Sequence, residues 1–239
     1  MKALNLINYL EPIAPKDILF PGVHWIIEIV LLVFLALFLW VCVCVRSIRY
    51  FWKFPMPAFA GNAIAAGPYR TRAQPPSMVV EAINPRPGMK VVEIGCGSGL
   101  YTVAVANAIQ PDGMVYAVDI QEGMLEKLRN RMEREGVKNI TPVLADAEGQ
   151  IPLADGIADA VFSVAVMPEI PDPVKAMDQV IRLMNDGAVF AEAEFLLDPD
   201  FPLRRTVVKW AKEAGLVLDR QIGSAFRYVL VFRKKSSSE

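Results

Sequence analysis

A glycine-rich segment at residues 90–119 constrains the fold of this chain more than any other feature. Residues 91–94 form a short, mostly β-branched run, which has the length and composition of a buried parallel strand. Glycines follow at alternate positions, Gly95, Gly97 and Gly99. Glycine adopts backbone angles closed to other residues and leaves no side chain to block a ligand, so these positions predict a ligand-binding loop.

A helix and a second strand follow this loop. Residues 100–109 have the apolar pattern of a packed helix, whose N-terminal amides would point at the ligand. Residues 115–118 predict a strand that ends at Asp119, about 20 residues past the glycine turn. An acidic side chain there can accept hydrogen bonds from two ribose hydroxyls, so the segment predicts a nucleoside-binding strand–loop–helix–strand unit.

The residue two positions ahead of the first glycine distinguishes between nucleosides. Dinucleotide-binding enzymes usually carry G-x-G-x-x-G, with a helix N-terminus that faces a pyrophosphate. Here the spacing is E-x-G-x-G-x-G and begins at Glu93, whose carboxylate would repel a pyrophosphate and suits a cationic ligand with an amino group. The pattern resembles motif I of class I S-adenosylmethionine (SAM)-dependent methyltransferases. An NAD(P)-dependent reductase is the alternative that this spacing disfavours.

The resemblance implies SAM as the cofactor, S-adenosyl-L-homocysteine as its product, and no metal. It places Glu93 near the methionine end of SAM, Asp119 on the ribose hydroxyls, Ile120 against the adenine and Asp146 on the adenine amine. Asp146 taken alone is equally a turn-forming aspartate, and Cys96 taken alone is a small filler of the loop. The predicted cofactor-binding residues are Glu93, Gly95, Cys96, Gly97, Gly99, Asp119, Ile120, Asp146, Ala147 and Ser163.

Strand and helix patterns alternate along residues 69–239, which predicts one α/β domain with a doubly wound, mostly parallel sheet. The resemblance covers this whole domain and implies a Rossmann-like, seven-stranded sheet with an antiparallel last strand. The pattern also predicts a helix at 77–83 with Ser77 as its cap, and a fifth strand at 187–195. Ligands in such sheets bind beyond the carboxyl ends of the strands.

Residues 24–45 form an apolar run whose only charged residue is Glu28. As a helix this run would span about 33 Å, close to the hydrocarbon core of a bilayer at about 30 Å. A buried core helix would show a polar face, and a signal peptide would have a basic segment directly ahead and a shorter apolar region. We therefore predict a single-pass transmembrane helix. Arg46, Arg49 and Lys53 follow it, so the positive-inside rule puts the C-terminal domain on the cytoplasmic side of the membrane.

Two segments flank this apolar run. Residues 1–23 mix polar and apolar types and form a separate N-terminal segment, with a short interfacial helix as one interpretation. Residues 46–68 are predicted to be a juxtamembrane linker. Within them, residues 54–68 carry no charge, so they are equally interpreted as a plain linker or as a segment along the membrane surface.

Composition excludes several classes of function. The formal net charge is −1, so no basic field indicates a nucleic-acid partner. The single histidine, His24, lies at the edge of the apolar run, which argues against histidine-based catalysis and metal sites. Three cysteines show neither a disulfide framework nor zinc spacing, which fits a reduced setting. The sequence leaves the oligomeric state open.

The acceptor side has weaker signals. Glu169, after the fourth strand, is a candidate for deprotonating or orienting an acceptor, although a surface or helix-capping carboxylate explains it equally well. Glu194, near the end of the fifth strand, is a second candidate catalytic residue. Tyr69, Arg70 and Arg72 are candidate substrate residues, since arginines can bind a phosphate headgroup or another anion, with ordinary surface residues as the alternative.

Residues 144–162 look like the quinone and lipid C- or N-methyltransferases related to the ubiquinone/menaquinone and phospholipid types. Together with the apolar run, this resemblance implies a membrane-anchored methyltransferase whose partners are the bilayer and a lipid acceptor such as a phospholipid amine, a quinone or an isoprenoid lipid. Two alternatives stay open. The acceptor is a soluble small molecule or a protein, with the anchor serving only location, or the fold is a non-catalytic SAM-binding membrane scaffold.

Overall fold

The structure is a computed structural model that describes residues 24–51, 53, 71–72, 74–196 and 198–234. The chain divides into two compact units, residues 1–48 and residues 49–239. The predicted N-terminal segment 1–23 and residues 54–68 of the predicted linker lie outside the described residues.

The described part of the first unit is a helix, α1 (His24–Phe51), of 28 residues. This confirms the helical state of the apolar run and extends it beyond the predicted end at residue 45. The side chains at residues 25–40 are exposed throughout; Phe34 and Leu32, for example, are 68% and 64% exposed. No helix among the described residues combines the length and the apolarity that crossing a membrane requires. The transmembrane part of the prediction is therefore not confirmed.

The second unit is built on a seven-stranded sheet with the order β3-β2-β1-β4-β5-β7-β6. The strands are β1 (Lys90–Ile94), β2 (Met114–Asp119), β3 (Ile140–Leu144), β4 (Ala158–Val164), β5 (Met184–Phe195), β6 (Leu216–Gly223) and β7 (Arg227–Lys234). Strands β1 to β5 pair in parallel, and β7 is antiparallel to both of its neighbours. The predicted doubly wound, Rossmann-like sheet with an antiparallel last strand is confirmed.

Helices cover both faces of this sheet. They are α2 (Pro76–Ile83), α3 (Leu100–Ala108), α4 (Glu122–Glu135), α5 (Pro173–Leu183) and α6 (Arg204–Glu213), with a 3-10 turn at Met167–Glu169. Buried residues of α2, α3 and α4 form one core with alternate residues of the strands. Buried residues of α5 and α6 form a second core on the opposite face. Because both faces are covered, the central strand β1 is buried at every position after Lys90.

Local sequence signals explain where several helices begin and end. The Asp172 side chain caps α5 by accepting a hydrogen bond from the Lys175 amide at 3.1 Å, and Pro173 follows at a position where its missing N–H is harmless. Helix α4 ends at Gly136, which has the left-handed φ of 68°. The prediction of Ser77 as the cap of α2 is wrong, since the helix begins at Pro76 and its N-cap is Pro75.

The fifth strand is longer than its apolar pattern predicts. It begins at Met184 instead of residue 187, and its pairing with β4 is irregular between Ala158 and Ala160. Gly187, with a φ of 86°, lies within this early part of the strand. The apolar pattern begins only after Asn185, Asp186 and Gly187, whereas pairing with β4 at Met184 already defines a strand.

Candidate cofactor and acceptor site

A cavity of about 360 Å³ lies at the carboxyl ends of β1, β2, β3 and β4. The strand ends contribute Glu93 to Ser98, Val118 to Gln121, Ala145 to Glu148, and Val164 to Val166. Lys53, Glu169, Ile170 and Pro171 complete one side of it. The cavity is thus formed where a doubly wound sheet is expected to bind its ligand, at the edge shared by the parallel strand ends.

The glycine loop forms one wall, and its backbone requires glycine. Gly95, Gly97 and Gly99 have φ values of 71°, 52° and 81°. A Cβ on Gly95 would meet Val166, and one on Gly99 would meet Leu128, whereas a Cβ on Gly97 would meet nothing within 4 Å. Gly95 and Gly99 therefore permit close packing, and Gly97 leaves backbone accessible to a ligand.

The amides of this loop turn back onto β2. Those of Gly95 and Cys96 donate to the Val118 carbonyl at 2.8 Å and 2.9 Å, and that of Gly97 donates to the Asp119 carboxylate at 2.8 Å. These three loop amides are therefore already bonded within the protein and are not available to a ligand. A pyrophosphate needs such donors, so this loop is poorly suited to a dinucleotide.

Asp119 connects the end of β2 to the loop. One carboxylate oxygen accepts from the Gly97 amide and the other accepts from the Gln121 amide at 2.9 Å. Its side chain is buried, and burial raises the pKa of Asp119, while the bonds from the Gln121 and Gly97 amides oppose that shift. Each oxygen retains further lone-pair capacity, so the carboxylate can also accept bonds from ribose hydroxyls.

Glu93 lies beneath the loop, in the wall of the cavity, with 1% of its surface exposed. Its carboxyl accepts a hydrogen bond from the Thr102 hydroxyl on α3. Burial raises the pKa of Glu93 well above its usual range, the Thr102 bond lowers it, and the nearby Asp119 raises it. A cation bound in the cavity would stabilise the charged form of this carboxyl.

Ser98 and Cys96 lie beside each other in the loop with different roles. Ser98 is 3% exposed, lines the cavity, and its hydroxyl has no hydrogen-bond partner among the described residues. An unpaired buried hydroxyl is costly, so this one is suited to a ligand's polar group. Cys96 is buried, its thiol contacts the Gly97 carbonyl at 3.7 Å, and burial raises its pKa well above the usual range. The thiol is therefore not poised as a nucleophile.

The charges around the cavity favour a cationic ligand. Its lining carboxyls are Glu93, Asp119, Asp146, Glu148 and Glu169, against the single ammonium of Lys53. SAM carries a positive sulfonium and an ammonium, and it fits this lining as well as the open backbone at Gly97 and the unpaired hydroxyl of Ser98. The acidic lining would repel a dinucleotide pyrophosphate.

The other predicted cofactor residues divide into two groups. The cavity wall includes Ile120, Asp146 and Ala147. Ile120 is 52% exposed, so its apolar side chain has free surface that an adenine ring could pack against. The Asp146 carboxylate accepts from the Glu148 amide at 2.9 Å, so it also forms the turn that was its alternative interpretation. Ser163 is fully buried, donates its hydroxyl to Glu192, and is not part of the cavity wall.

The structure separates the two candidate catalytic glutamates. Glu169 ends the 3-10 turn and lines the cavity. Glu194 is fully buried and lies behind β4, on the same face of β5 as Glu192, outside the cavity wall. Among the candidate substrate residues, Arg72 is exposed and is not in the cavity wall, whereas Tyr69 and Arg70 lie outside the described residues.

Behind the cavity, Glu192 and Glu194 form a buried acidic pair with Ser163 and Tyr228. Glu194 is paired across the sheet with Tyr228, whose hydroxyl donates to the Pro202 carbonyl at 2.7 Å. Burial raises the pKa of Glu192 to about 8, while hydrogen bonds with Glu194 and Ser163 oppose the shift. Burial therefore favours the protonated form of Glu192, and the pair lies outside the cavity wall.

Lys53 is the main residue of the cavity that sequence reasoning missed. Its ammonium donates to the Ile170 carbonyl at 3.0 Å, across 117 positions of sequence. The sequence showed it only as one basic residue after an apolar run, a signal of membrane orientation and not of a site. Ser98 and Val166 lie within strand ends expected to converge but were given no role, and Glu148 was missed, because single residues after strand ends carry no pattern. Within the described residues, no group of three or more metal-ligating side chains comes together.

Comparison with known proteins agrees with this geometry. Residues 85–233 match the family model described as "Methyltransferase domain". The chain is 31% identical over 131 residues to a protein-L-isoaspartate O-methyltransferase of Methanothermobacter thermautotrophicus, covering 53% of this chain and 55% of that protein. It is 27% identical over 111 residues to a demethylmenaquinone methyltransferase of Geobacillus stearothermophilus, covering 46% of this chain and 47% of that one. The chain thus spans about half the length of these curated relatives.

The fold has a close match among solved structures. A SAM-dependent methyltransferase from Aquifex aeolicus superposes with a TM-score of 0.69 at 21% identity, over 74% of this chain and 98% of that one. At that identity the likeness concerns the fold. The family match covers β1 to β7 apart from the last residue, and therefore includes every strand end that forms the cavity. The chain belongs to the methyltransferase-domain family and has the fold of SAM-dependent methyltransferases.

Proposed function

We propose that this methyltransferase transfers the methyl group of SAM to a lipid-soluble acceptor and is held at the membrane by α1. The observation that carries the proposal is the apolar surface of α1. Its described side chains at residues 25–40 are all exposed, and Glu28 is the only charged residue among them. Apolar exposure on this scale is unusual for a helix in water and is typical of a surface that binds lipid or protein.

The order of segments along the chain supports the same proposal. Helix α1 ends at Phe51, and Lys53, two positions later, lines the cavity. If α1 is held in lipid, the covalent connection keeps the catalytic unit tethered to the membrane that would contain the acceptor. A demethylmenaquinone methyltransferase is among the relatives, and a menaquinone precursor is a lipid-soluble substrate. We also propose the cytoplasmic side for the catalytic unit, from the basic residues that follow the apolar run.

The residues of the cavity assign roles in such a transfer. SAM, when bound, supplies a methyl group on a positively charged sulfur, which is a good leaving group without acid catalysis. The chain therefore mainly binds and aligns the reactants, and alignment supplies most of the acceleration. Asp119 and Ser98 bind polar groups of the cofactor, and the acidic lining stabilises its positive charge. Glu169, in the wall of the same cavity, is the candidate for orienting the acceptor.

Incubation with methyl-labelled SAM and a total lipid extract tests the proposal. The full-length chain, solubilised in detergent, should transfer label into the lipid fraction, and the mass of the labelled band should identify the acceptor. A Gly97→Val variant, whose side chain would enter the cavity, controls for transfer by contaminants. Label only in the aqueous or the protein fraction would contradict the lipid acceptor.

A vesicle flotation assay tests the membrane part separately. The wild-type chain should float with liposomes, and a Leu35→Glu/Phe38→Glu double variant on α1 should stay in the dense fraction, because charges disfavour burial in lipid. A matched pair of changes on the exposed surface of α4, Glu126→Gln and Glu133→Gln, should leave flotation unchanged. Recovery of the wild type in the dense fraction would contradict the anchor.

A soluble or protein acceptor is the second candidate function. It is favoured by the absence of a membrane-spanning helix among the described residues and by the relationship to a protein-L-isoaspartate O-methyltransferase. The labelling experiment distinguishes the two candidate functions. If the acceptor is soluble or a protein, label should appear in the peptide or small-molecule fraction, and its transfer should not depend on added lipid.

A further inference from the structure

The ammonium of Lys53 occupies a defined seat at one end of the cavity. Its Nζ donates to the Ile170 carbonyl at 3.0 Å and approaches the Pro171 carbonyl at 3.5 Å. It also lies 5.7 Å from the centre of the Trp210 ring. Two carbonyl oxygens and an aromatic face are the usual surroundings of a bound organic cation. We call this set of groups the Lys53 seat.

Three carboxylates surround this seat. Asp200, Asp172 and Glu148 each act electrostatically to raise the pKa of Lys53, although burial lowers it by more. Glu148 and Asp172 come from different loops, and a Glu148 oxygen accepts from the Asp172 amide at 3.1 Å, which ties the loop after β3 to the segment before α5. The seat is therefore built from several elements of the second unit.

The Lys53 seat opens to the cofactor end of the same cavity. Lys53, Glu148 and Ile170 line that cavity together with Gly97 and Asp119. A group bound in the seat therefore faces the space assigned to SAM. The seat already holds a cation in the structure, and this cation belongs to a flexible, partly exposed side chain. A substrate cation in the cavity would meet the Ile170 and Pro171 residues whose carbonyls Lys53 now contacts, because both line the cavity.

We infer that the Lys53 seat is the acceptor-recognition end of the site, that the acceptor carries a protonated amine, and that this amine displaces Lys53 to be methylated. The inference rests on the proposed function and narrows it, since quinones and uncharged isoprenoid lipids have no cation for the seat. A lipid amine headgroup and a free amine share this chemistry.

Methyl transfer to an amine accounts for every proton and electron pair. The bound ammonium first gives a proton to Glu148, which lines the cavity, and so exposes the nitrogen lone pair. That pair forms the new N–C bond to the methyl group while the C–S bond breaks. The electron pair of the broken bond stays on sulfur, which becomes a neutral thioether, and the nitrogen becomes a methylammonium. The proton on Glu148 then passes to solvent.

Calorimetry without SAM tests recognition independently of turnover. The probes are dodecylamine and its uncharged analogue dodecanol, titrated into the detergent-solubilised full-length chain. We expect the amine to bind at least tenfold more tightly than the alcohol. Lys53→Met, which keeps the apolar stem and removes the competing charge, should strengthen amine binding several-fold. Glu148→Gln should weaken it several-fold, and Lys138→Met, on an exposed lysine away from the cavity, should leave it unchanged.

Equal binding of amine and alcohol, or weaker amine binding by Lys53→Met, would overturn the inference. Circular dichroism of each variant shows whether it is folded, and the two-probe comparison on the wild type needs no variant.

Labelled SAM then distinguishes the sources of the amine. Label in phosphatidylethanolamine vesicles supports both the inference and the lipid acceptor, whereas label in free ethanolamine alone supports the inference and contradicts the lipid acceptor. Label only in lipids without an amine supports the proposed function and overturns the inference. Label on Lys53 itself, found by peptide mass spectrometry, also overturns it.

Discussion

The two ends of the cavity are encoded in the sequence in different ways. The end that we propose for the cofactor comes from one continuous stretch, from Glu93 to Ile120, in which strand, glycine loop, helix and second strand follow one another. The end that we propose for the acceptor combines Lys53, Glu148 and the residues after β4, and its central contact joins positions 117 residues apart. A local pattern can therefore reveal the first end, while only the folded sheet brings the second together.

The largest effect that tests this contrast is expected at the cofactor end, from Asp119→Ala. The change removes the acceptor of the Gly97 and Gln121 amides and of the ribose hydroxyls. The two hydrogen bonds from the ribose hydroxyls to the charged carboxylate are worth roughly 1.5 kcal/mol each. Their loss predicts that SAM binds about 100-fold more weakly in calorimetry. Asp178→Ala, on the exposed face of α5, is the control and should bind SAM normally. Unchanged affinity in Asp119→Ala would show that the continuous stretch is not the cofactor end.

A second variant tests where the two ends meet. In Gly95→Ala the new Cβ would lie 2.4 Å from a Val166 methyl. The glycine loop would therefore clash with the segment that follows β4. We expect a loss of about 1–3 kcal/mol in the free energy of unfolding, measured by urea denaturation. Adding Val166→Ala should recover most of the steric part, since only the Cβ of residue 166, at 3.0 Å, would still crowd the new Cβ, and should leave the roughly 1 kcal/mol cost of a left-handed alanine. No recovery would mean that the contact with Val166 is not the cause.

The last variant concerns the buried acidic pair, Glu192 and Glu194, and its readout is the pH dependence of stability. Because burial raises the pKa of Glu192 to about 8 from an ordinary 4.5, the folded chain retains a proton that the unfolded chain releases. Its stabilising contribution is complete below about pH 4.5 and is lost as the pH rises through 8, so the free energy of unfolding should fall across that range. Glu192→Gln should flatten the fall, which denaturation at a series of pH values measures.

Glu133→Gln, on the exposed side of α4, provides the matched control and should keep the wild-type pH dependence. The same slope in Glu192→Gln as in the wild type would assign the pH dependence to another group, such as Glu93.

Local patterns located the strands of the sheet and most of the strand ends that form the cavity, and the resemblance to class I methyltransferases supplied the antiparallel last strand. Runs of consecutive apolar residues predicted the positions of the strands, and the spacing of Glu93 from the glycines predicted the ligand-binding loop. Sequence reasoning failed for Ser163 and Glu194, whose positions near strand ends suggested exposure to the cavity. A strand residue faces one side of the sheet or the other, and both of these face the core beneath α5 and α6, where they interact with Glu192 and Tyr228.

Calorimetric titration of SAM into the wild type, Gly97→Ala and Gly136→Ala tests most directly that the glycine loop is a backbone surface for SAM. Both glycines have left-handed φ values, 52° and 68°, and a Cβ on either would meet nothing within 4 Å, so the two substitutions carry similar backbone strain. Only Gly97 lines the cavity. The wild type and Gly136→Ala should bind SAM alike, and Gly97→Ala should bind it at least tenfold more weakly. Equal affinity in all three proteins would contradict the placement of SAM against this loop.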